Sequence, residues 1–180
     1  MKISRYIHAT FFAIFILLSF QAYAVPNAAA SDTVITGKVK SKIALDPTIS
    51  VFKVDVSTSN GVVMLSGTVN SDTDASALIE IAQSTDGVKD VDTGNLAIKN
   101  SSQPFTDTVI TAKVKGVLIR EKLLGKDVPA VNVSVETNNG VVYLSGNVDT
   151  NLQATNAANL AKSVDGVKQV ESRLKVGKGN

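Results

Sequence analysis

An internal repeat limits the possible folds of this chain more than any other sequence feature. Three segments occur twice in the same order, with sequences DTVIT, NGVV(M/Y)LSG and DGVK. The paired positions are 32–36 with 107–111, 60–67 with 139–146, and 86–89 with 165–168. Each copy spans about 70 residues, which is long enough for a small independent domain.

The segment between the two copies has the composition of a linker. Residues 101–105 read Ser-Ser-Gln-Pro-Phe, so they are mostly polar and contain a proline. We therefore predict one domain over 31–100, a linker at 101–105, and a second domain over 106–177.

Each copy contains a strongly predicted β-hairpin. An Asn-Gly dipeptide, at 60–61 and again at 139–140, suits a two-residue type I′ turn. Centring each hairpin on this dipeptide puts the apolar residues of both strands on one face. The predicted opposed pairs are Val54–Gly67, Val56–Leu65 and Phe52–Val69, and in the second copy Val133–Gly146, Val135–Leu144 and Val131–Val148.

Two helices and a third strand complete each copy. The predicted apolar stripes are Ile35, Val39 and Ile43; Ile110, Val114, Val117 and Leu118; Ala75, Leu78, Ile79 and Ala82; and Ala154, Ala157, Ala158 and Ala161. Asp32 and Asp107 are predicted N-caps of the first helices. A final strand carries Val91, Leu96 and Ile98, matched by Val170, Leu174 and Val176. The order is α-β-β-α-β, with two helices on one face of a three-stranded sheet.

Six glycines are interpreted as structural. They are Gly61, Gly67, Gly87, Gly140, Gly146 and Gly166. Gly61 and Gly140 belong to the turns, and Gly87 and Gly166 are predicted to end the second helices. Gly67 and Gly146 lie on the inward face of a strand, where we expect a helix to approach closely.

The hairpin motif and the Asp-Gly-Val-Lys-x-Val segment before the last strand resemble the BON domain family. This resemblance implies an α+β fold of two α-β-β-α-β domains, each with a three-stranded mixed sheet. It also implies an envelope protein that binds phospholipid membrane surfaces and takes part in osmotic or envelope stress tolerance, without catalytic residues. One branch of the family is anchored through a Cys, and this chain has none. The resemblance therefore implies a soluble form.

The N-terminus has the three-part pattern of a secretory signal peptide. Lys2 and Arg5 precede an apolar run at 9–20, and small residues at Ala22 and Ala24 follow. We predict export to the periplasm with cleavage after Ala24. A retained anchor is the alternative, but a run of about 12 residues is short of the roughly 20 that span hydrocarbon.

Composition argues against several classes of function. The chain has no Cys and one His, His8, which lies within the predicted signal peptide. Imidazole catalysis and His- or Cys-ligated zinc are therefore excluded from the exported product. Asp72 and Asp74 are replaced by Asn151 and Gln153 in the second copy, which argues against a carboxylate pair. We predict no enzyme, no cofactor and no metal site.

Nucleic acid is also an unfavourable partner. Lys and Arg total 18 against 16 acidic residues, and removal of Lys2 and Arg5 makes the two counts equal. A neutral chain lacks the positive charge that phosphate backbones require. Only Phe52, Phe105 and Tyr143 remain as aromatic residues after the signal, too few for a base-stacking platform.

Charge is distributed unequally between the two copies. Residues 31–100 hold six lysines and nine acidic residues, whereas 106–177 hold nine basic and seven acidic residues. Basic residues of the second copy cluster along its first helix and the following loop: Lys113, Lys115, Arg120, Lys122 and Lys126. We predict that this cluster contacts anionic phospholipid membranes, and that the first domain does not. An ordinary solvated helix face is the alternative.

The insertion in the second copy is a further candidate contact. Leu123, Leu124 and Val128 lie beside Lys122 and Lys126, and apolar residues flanked by lysines suit a membrane interface. A loop folded over its own core has the same composition, and we favour this second interpretation.

Four apolar residues point away from the helices in the predicted register: Val62, Met64, Val141 and Tyr143. They could form a contact between domains, a dimer face or a site for another envelope protein. They could also be ordinary surface residues. The alternative to lipid binding is therefore a protein-binding or chaperone-like module that uses these sheet faces and the edge strands.

Overall fold

The structure is a computed structural model that describes residues 31–47, 49, 54–101, 105–129 and 132–177. The elements are α1 (Asp32–Leu45), β1 (Val54–Ser59), β2 (Val62–Ser71), α2 (Asp72–Gln83), β3 (Asp90–Asn100), α3 (Phe105–Leu123), β4 (Val133–Asn138), β5 (Val141–Val148), α4 (Asn151–Lys162) and β6 (Gln169–Val176). This order confirms the α+β class and the repeated α-β-β-α-β unit. The predicted signal peptide, residues 1–24, lies outside the described residues.

Both hairpins close through left-handed dipeptides. Asn60 and Gly61 have φ angles of 54° and 81°, and Asn139 and Gly140 have φ angles of 52° and 80°. These values are those of a type I′ turn, in which both central residues need positive φ. The predicted registers are confirmed: the observed pairs include Val54–Gly67, Val56–Leu65, Val133–Gly146 and Val135–Leu144. The pairs that involve Phe52 and Val131 lie outside the described residues.

Each sheet contains one antiparallel and one parallel pair of strands. In the first domain the order is β1-β2-β3, with β2 antiparallel to β1 and parallel to β3. The second domain repeats this arrangement with β4-β5-β6. A parallel pair needs a crossover connection, and α2 and α4 supply it. The predicted mixed sheet is therefore confirmed.

The core of each domain lies between the two helices and the inward face of the sheet. The predicted stripe of α1 is buried at Ile35, Val39 and Ile43, and the whole predicted stripe of α2 is fully buried. Of the predicted stripe of α4, Ala157 and Ala161 are buried, while Ala154 and Ala158 are half-buried. The smaller burial of α4 shows that the second domain covers its second helix less completely than the first domain does.

Asp32 and Asp107 do not cap their own helices as the sequence analysis predicted. Asp32 follows the N-cap residue Ser31, and α3 begins at Phe105, upstream of Asp107. Each carboxylate instead accepts two backbone N–H bonds from the Asn-Gly turn of the hairpin. Asp32 binds the turn at 60–61 at 2.8 Å each, and Asp107 binds the turn at 139–140 at 2.8 and 2.9 Å. The first helix of each domain is thus fastened to its hairpin.

The Asp107→Asn variant should lose about 2–4 kcal/mol of unfolding free energy, because an amide cannot accept both turn N–H groups in this geometry. Asp107 is only 7% exposed, so the freed donor would be buried. Urea denaturation would measure the loss. Asp32→Asn is the matched control and should lose less, because its bond to Asn60 is exposed to solvent. Equal losses in both variants would contradict this explanation.

At the two inward strand positions, Gly146 serves a different purpose from the one predicted, and the predicted helix contact of Gly67 stays a prediction. Gly67 and Gly146 have φ angles of 117° and 122°, a region that other residues rarely adopt. A Cβ on Gly146 would overlap the carbonyl oxygen of Asn132, which lies just before the paired strand β4. The close approach therefore comes from the neighbouring strand and not from a helix.

Gly87 and Gly166 also lie slightly away from their predicted positions. The helices end earlier, with Ser84 and Ser163 as C-cap residues. Gly87, with φ of 92°, belongs to a separate turn closed by the N–H of Val88 and the carbonyl of Thr85 at 3.1 Å. Gly166 has the equivalent place before β6. These glycines remain structural, as predicted, but in a turn and not at a helix end.

The two domains pack against each other through α2 and α3. Phe105, which the sequence analysis assigned to the linker, is the first residue of α3 and packs with Val109 and Ala112 against the core of the first domain. Residues 102–104 of the predicted linker lie outside the described residues. A Cβ on Gly116 would lie 2.6 Å from the Cβ of Gln83, so the helices cross closely there. α3 therefore belongs to both domain cores.

Candidate functional site

The predicted basic cluster does not form one exposed surface. Lys113 is only 6% exposed, and its Nζ lies 2.8 Å from Oδ1 of Asp90 in the first domain. The prediction that Lys113 contacts lipid is wrong, because the helix face that carries it is covered by α2 and the start of β3. Lys113 instead joins the domains.

Arg120 also lies at the domain interface. Its Nη1 donates a 2.6 Å hydrogen bond to the carbonyl oxygen of Val88, and its Nε lies 3.2 Å from Oε1 of Glu121. Its side chain is 16% exposed. A guanidinium held by a backbone carbonyl of the other domain is a structural contact, so Arg120 is likewise removed from the predicted lipid surface.

Lys115 lies beside the acidic part of the same interface. Burial raises the pKa of Glu80 above its ordinary value, and the positive charge of Lys115 partly opposes that rise. Lys115 is half-buried. Its charge therefore acts on Glu80 of α2, and the acidic first domain and the basic second domain meet here with complementary charge.

The remaining basic residues lie in an exposed segment at the end of α3, which we call the α3 tip (residues 122–126). Lys122 and Lys126 are exposed, and between them Leu123 and Leu124 are 72% and 54% exposed. Two leucines with this exposure on adjacent positions are unusual in the described part of the chain. The α3 tip thus combines apolar and basic groups at one place.

Backbone hydrogen bonds hold the α3 tip in a defined shape. The N–H of Gly125 donates to the carbonyl oxygen of Lys122 at 3.0 Å, and the N–H of Lys126 donates to the carbonyl oxygen of Glu121 at 3.0 Å. Gly125 has φ of +80°. This pair of bonds around a left-handed glycine is a Schellman motif, which ends a helix in a fixed geometry. The exposed leucines are therefore presented by an ordered backbone.

The buried carboxylate of Glu121 binds Lys126 of the α3 tip and Arg120 of the domain interface. Burial alone would raise its pKa, but hydrogen bonds from Lys126 and Arg120 hold the pKa of Glu121 below its usual value. Lys126 forms an ion pair with one carboxylate oxygen while its own side chain stays 62% exposed. Glu121 thus connects the interface residue Arg120 to the exposed tip.

The rest of the insertion folds onto the second domain. Val128 is 1% exposed, and Asp127 accepts hydrogen bonds from Gln153 at 2.7 Å and Asn156 at 2.9 Å. The favoured interpretation of a loop over its own core therefore holds for Val128. It is wrong for Leu123 and Leu124, which remain exposed.

The four predicted sheet-face residues lie on two different sheets: Val62 and Met64 on β2 of the first domain, and Val141 and Tyr143 on β5 of the second. Met64 is 39% exposed, and Val62, Val141 and Tyr143 are half-buried. The guanidinium of Arg173 lies 5.4 Å from the centre of the Tyr143 ring, which is cation–π geometry. Val62 lines a cavity of about 460 Å³ between the domains, together with Phe105 and Val109. Their binding role stays a prediction.

Within the described residues, no three His, Cys, Asp or Glu side chains lie close enough together to hold a metal ion. None of the helices in that part of the chain has the length and apolar character needed to cross a bilayer.

Comparison with known proteins decides the family. The profile of the BON domain matches residues 31–100 and again residues 106–178. The chain belongs to the BON domain family. Both family matches contain the hairpin, the Asp that fastens it and the crossover helix, so these BON domains share the architecture described above.

Two curated proteins resemble this tandem BON chain. It is 36% identical over 149 residues to Osmotically-inducible protein Y of Escherichia coli, a match that covers 80% of this chain and 72% of that protein. It is 29% identical over 123 residues to "Uncharacterized protein in gshII 5'region" of Anaplasma centrale, covering 68% of this chain and 81% of that one.

Solved structures give a weaker comparison for the BON chain. The C-terminal domain of CdsD, a structural protein of the type III secretion system of Chlamydia trachomatis, aligns with 14% identity and a TM-score of 0.33. That alignment covers 79% of this chain and 96% of the other.

Sequence reasoning missed the acidic anchors and the domain interface. Both anchors had a detectable signal, because an Asp precedes the helix stripe in each copy at a similar distance from Asn-Gly. The interface also left a signal: Gly116 and Arg120 of the second copy replace Ser41 and Leu45 of the first. Small residues occupy this outer face in both copies, but only the second copy adds a cation there, which indicates a contact that the first copy lacks.

Proposed function

We propose that this BON protein is a non-catalytic protein of the bacterial envelope that binds anionic phospholipid surfaces through the α3 tip. The observation that carries the proposal is the exposure of Leu123 and Leu124, at 72% and 54%, between the exposed Lys122 and Lys126. Apolar side chains flanked by lysines suit the boundary between headgroups and acyl chains.

The expected affinity is modest. Burying a leucine side chain contributes roughly 1.5–3 kcal/mol, and each basic residue near an anionic surface contributes about 1 kcal/mol. The apolar part is therefore at least as large as the charged part, since Lys126 also pairs with Glu121. Binding should be reversible, and high salt should weaken it only in part.

The N-terminal sequence and one curated relative support an envelope role. The N-terminal sequence has the pattern of an export signal with cleavage after Ala24, which leads to the periplasm. The curated relative of Escherichia coli is named for its induction by osmotic change. We therefore place this protein in osmotic or envelope stress tolerance, at the membrane surface.

The test is vesicle flotation with the chain lacking residues 1–24. The double variant Leu123→Ser/Leu124→Ser should bind phosphatidylglycerol-containing vesicles at least roughly tenfold more weakly, because it removes most of the apolar contact. Lys122→Gln should weaken binding to anionic vesicles and leave binding to neutral vesicles unchanged.

Leu152→Ser is the matched control, because Leu152 is 58% exposed on α4 and is not part of the α3 tip. It should bind vesicles like the unsubstituted chain. If the double variant floated with anionic vesicles as well as this control does, the α3 tip would not be the lipid contact and the proposal would be discarded.

A further inference from the structure

The repeat lets one helix be compared directly with its counterpart in the same chain. Aligning Asp32 with Asp107 makes α1 the counterpart of α3. The outer stripe by which α3 packs on the first domain is Val109, Ala112, Gly116 and Arg120. The corresponding residues of α1 are Val34, Gly37, Ser41 and Leu45. They share one helix face because their spacing follows the three- and four-residue helical repeat.

This stripe of α1 is uncovered in the described part of the chain. Val34 is 50% exposed and Leu45 is 82% exposed. A Cβ added to Gly37 would meet no described atom within 4 Å, whereas one on Gly116 of α3 would lie 2.6 Å from Gln83. α1 therefore carries small residues where α3 needs them for close helix contact, together with two exposed apolar residues.

The lysines of α1 indicate the charge of a surface that could pack against this helix. Lys38, Lys40 and Lys42 are exposed around the stripe, and Lys38 also pairs with Asp86 of its own domain at 3.2 Å. On α3 the basic residues at corresponding places meet acids of the first domain, as Lys113 meets Asp90 at 2.8 Å and Lys115 lies near Glu80. A helix surface that suits α1 should therefore be acidic.

In the described part of the chain, neither the α2 face nor its counterpart in the second domain offers such a surface to a second copy. The acidic face of α2 is already occupied by α3 of the same chain. The corresponding face of the second domain carries Asn159 and Gln169 in place of Glu80 and Asp90, and Lys162 in place of Gln83. Its charge opposes the lysines of α1.

We propose that α1 docks an acidic helix of a different partner protein through Val34, Gly37, Ser41 and Leu45, in the way that α3 docks on α2. This surface is separate from the α3 tip and does not depend on lipid binding.

The experiment moves the acidic face formed by α2 and the start of β3 onto α4 and the start of β6, so that the chain itself supplies the probe. The triple variant Asn159→Glu/Lys162→Gln/Gln169→Asp changes only exposed residues. If α1 accepts an acidic helix, this variant should self-associate head to tail, at least roughly tenfold more tightly than the unsubstituted chain. Sedimentation velocity over a range of concentrations would measure it.

Adding Gly37→Leu to the triple variant should return its sedimentation to that of the unsubstituted chain, because the larger side chain holds the helices apart. Circular dichroism should show that both variants fold, since Gly37 has open space around it. Loss of association on this addition supports the proposal.

Two outcomes would overturn it. The triple variant could sediment like the unsubstituted chain, or its association could survive Gly37→Leu. In the first case, weaker flotation of Gly37→Leu with anionic vesicles would identify α1 as a lipid contact. Flotation of the Leu123→Ser/Leu124→Ser variant tests the α3 tip independently of both outcomes.

Discussion

The Gly146→Ala variant is expected to lose about 3 kcal/mol or more of unfolding free energy, a large effect for a single methyl group. Gly146 has φ of +122°, where an alanine is strained. Its Cβ would also overlap the carbonyl oxygen of Asn132, which belongs to backbone and cannot rotate away. The hairpin would have to open locally to accept the substitution.

Urea denaturation followed by circular dichroism would measure this loss. Gly125→Ala is the matched control: Gly125 also has positive φ, at +80°, but no described atom lies within 4 Å of the added Cβ. It should lose only roughly 1 kcal/mol, from backbone strain alone. Equal losses in the two variants would show that the contact with Asn132 has no energetic role.

Local patterns predicted the hairpins correctly because their determinants are local. The Asn-Gly dipeptide specifies its own turn, and the alternation around it specifies the register that Val56 and Leu65 adopt. The role of Gly146 was misassigned for the opposite reason. Its close neighbour, Asn132, lies across the strand pair at a position that alternation does not reveal.

Contacts between the domains could not be predicted by the same means. Lys113 and Arg120 have the spacing of residues on a solvated helix face, and only the packing of α3 on α2 shows that they bind Asp90 and the carbonyl of Val88. The unequal charge of the two copies was detected but was assigned to lipid. Part of that charge is instead complementary across the interface.

The candidate site was therefore predicted only in its C-terminal part. Lys122 and Lys126 are exposed as expected, but the leucines between them were expected to be covered. Their exposure follows from the Schellman motif at Gly125, which turns the chain before it returns to the core at Val128. Helix periodicity cannot show where the chain leaves the helix.

The close crossing of α2 and α3 makes a second prediction with a large expected effect. Gly116→Leu should lose about 2–3 kcal/mol and uncouple the domains. A side chain at Gly116 would meet the Cβ of Gln83 at 2.6 Å and the carbonyl oxygen of Glu80 at 3.0 Å, so the helices must separate. Separation of α2 from α3 would also weaken the packing of Phe105 against the hydrophobic core of the first domain.

Unfolding of the Gly116→Leu variant should change from one transition to two, because each domain would then lose its structure independently. Urea denaturation followed by near-ultraviolet and far-ultraviolet circular dichroism would detect this. Ser41→Leu is the matched control, since Ser41 has the same place on α1 and is exposed. It should leave the transition unchanged or stabilise it by a few tenths of a kcal/mol, roughly the gain in helix propensity. A single transition in Gly116→Leu at the midpoint of the control would mean that the coupled unfolding of the two BON domains does not depend on this crossing.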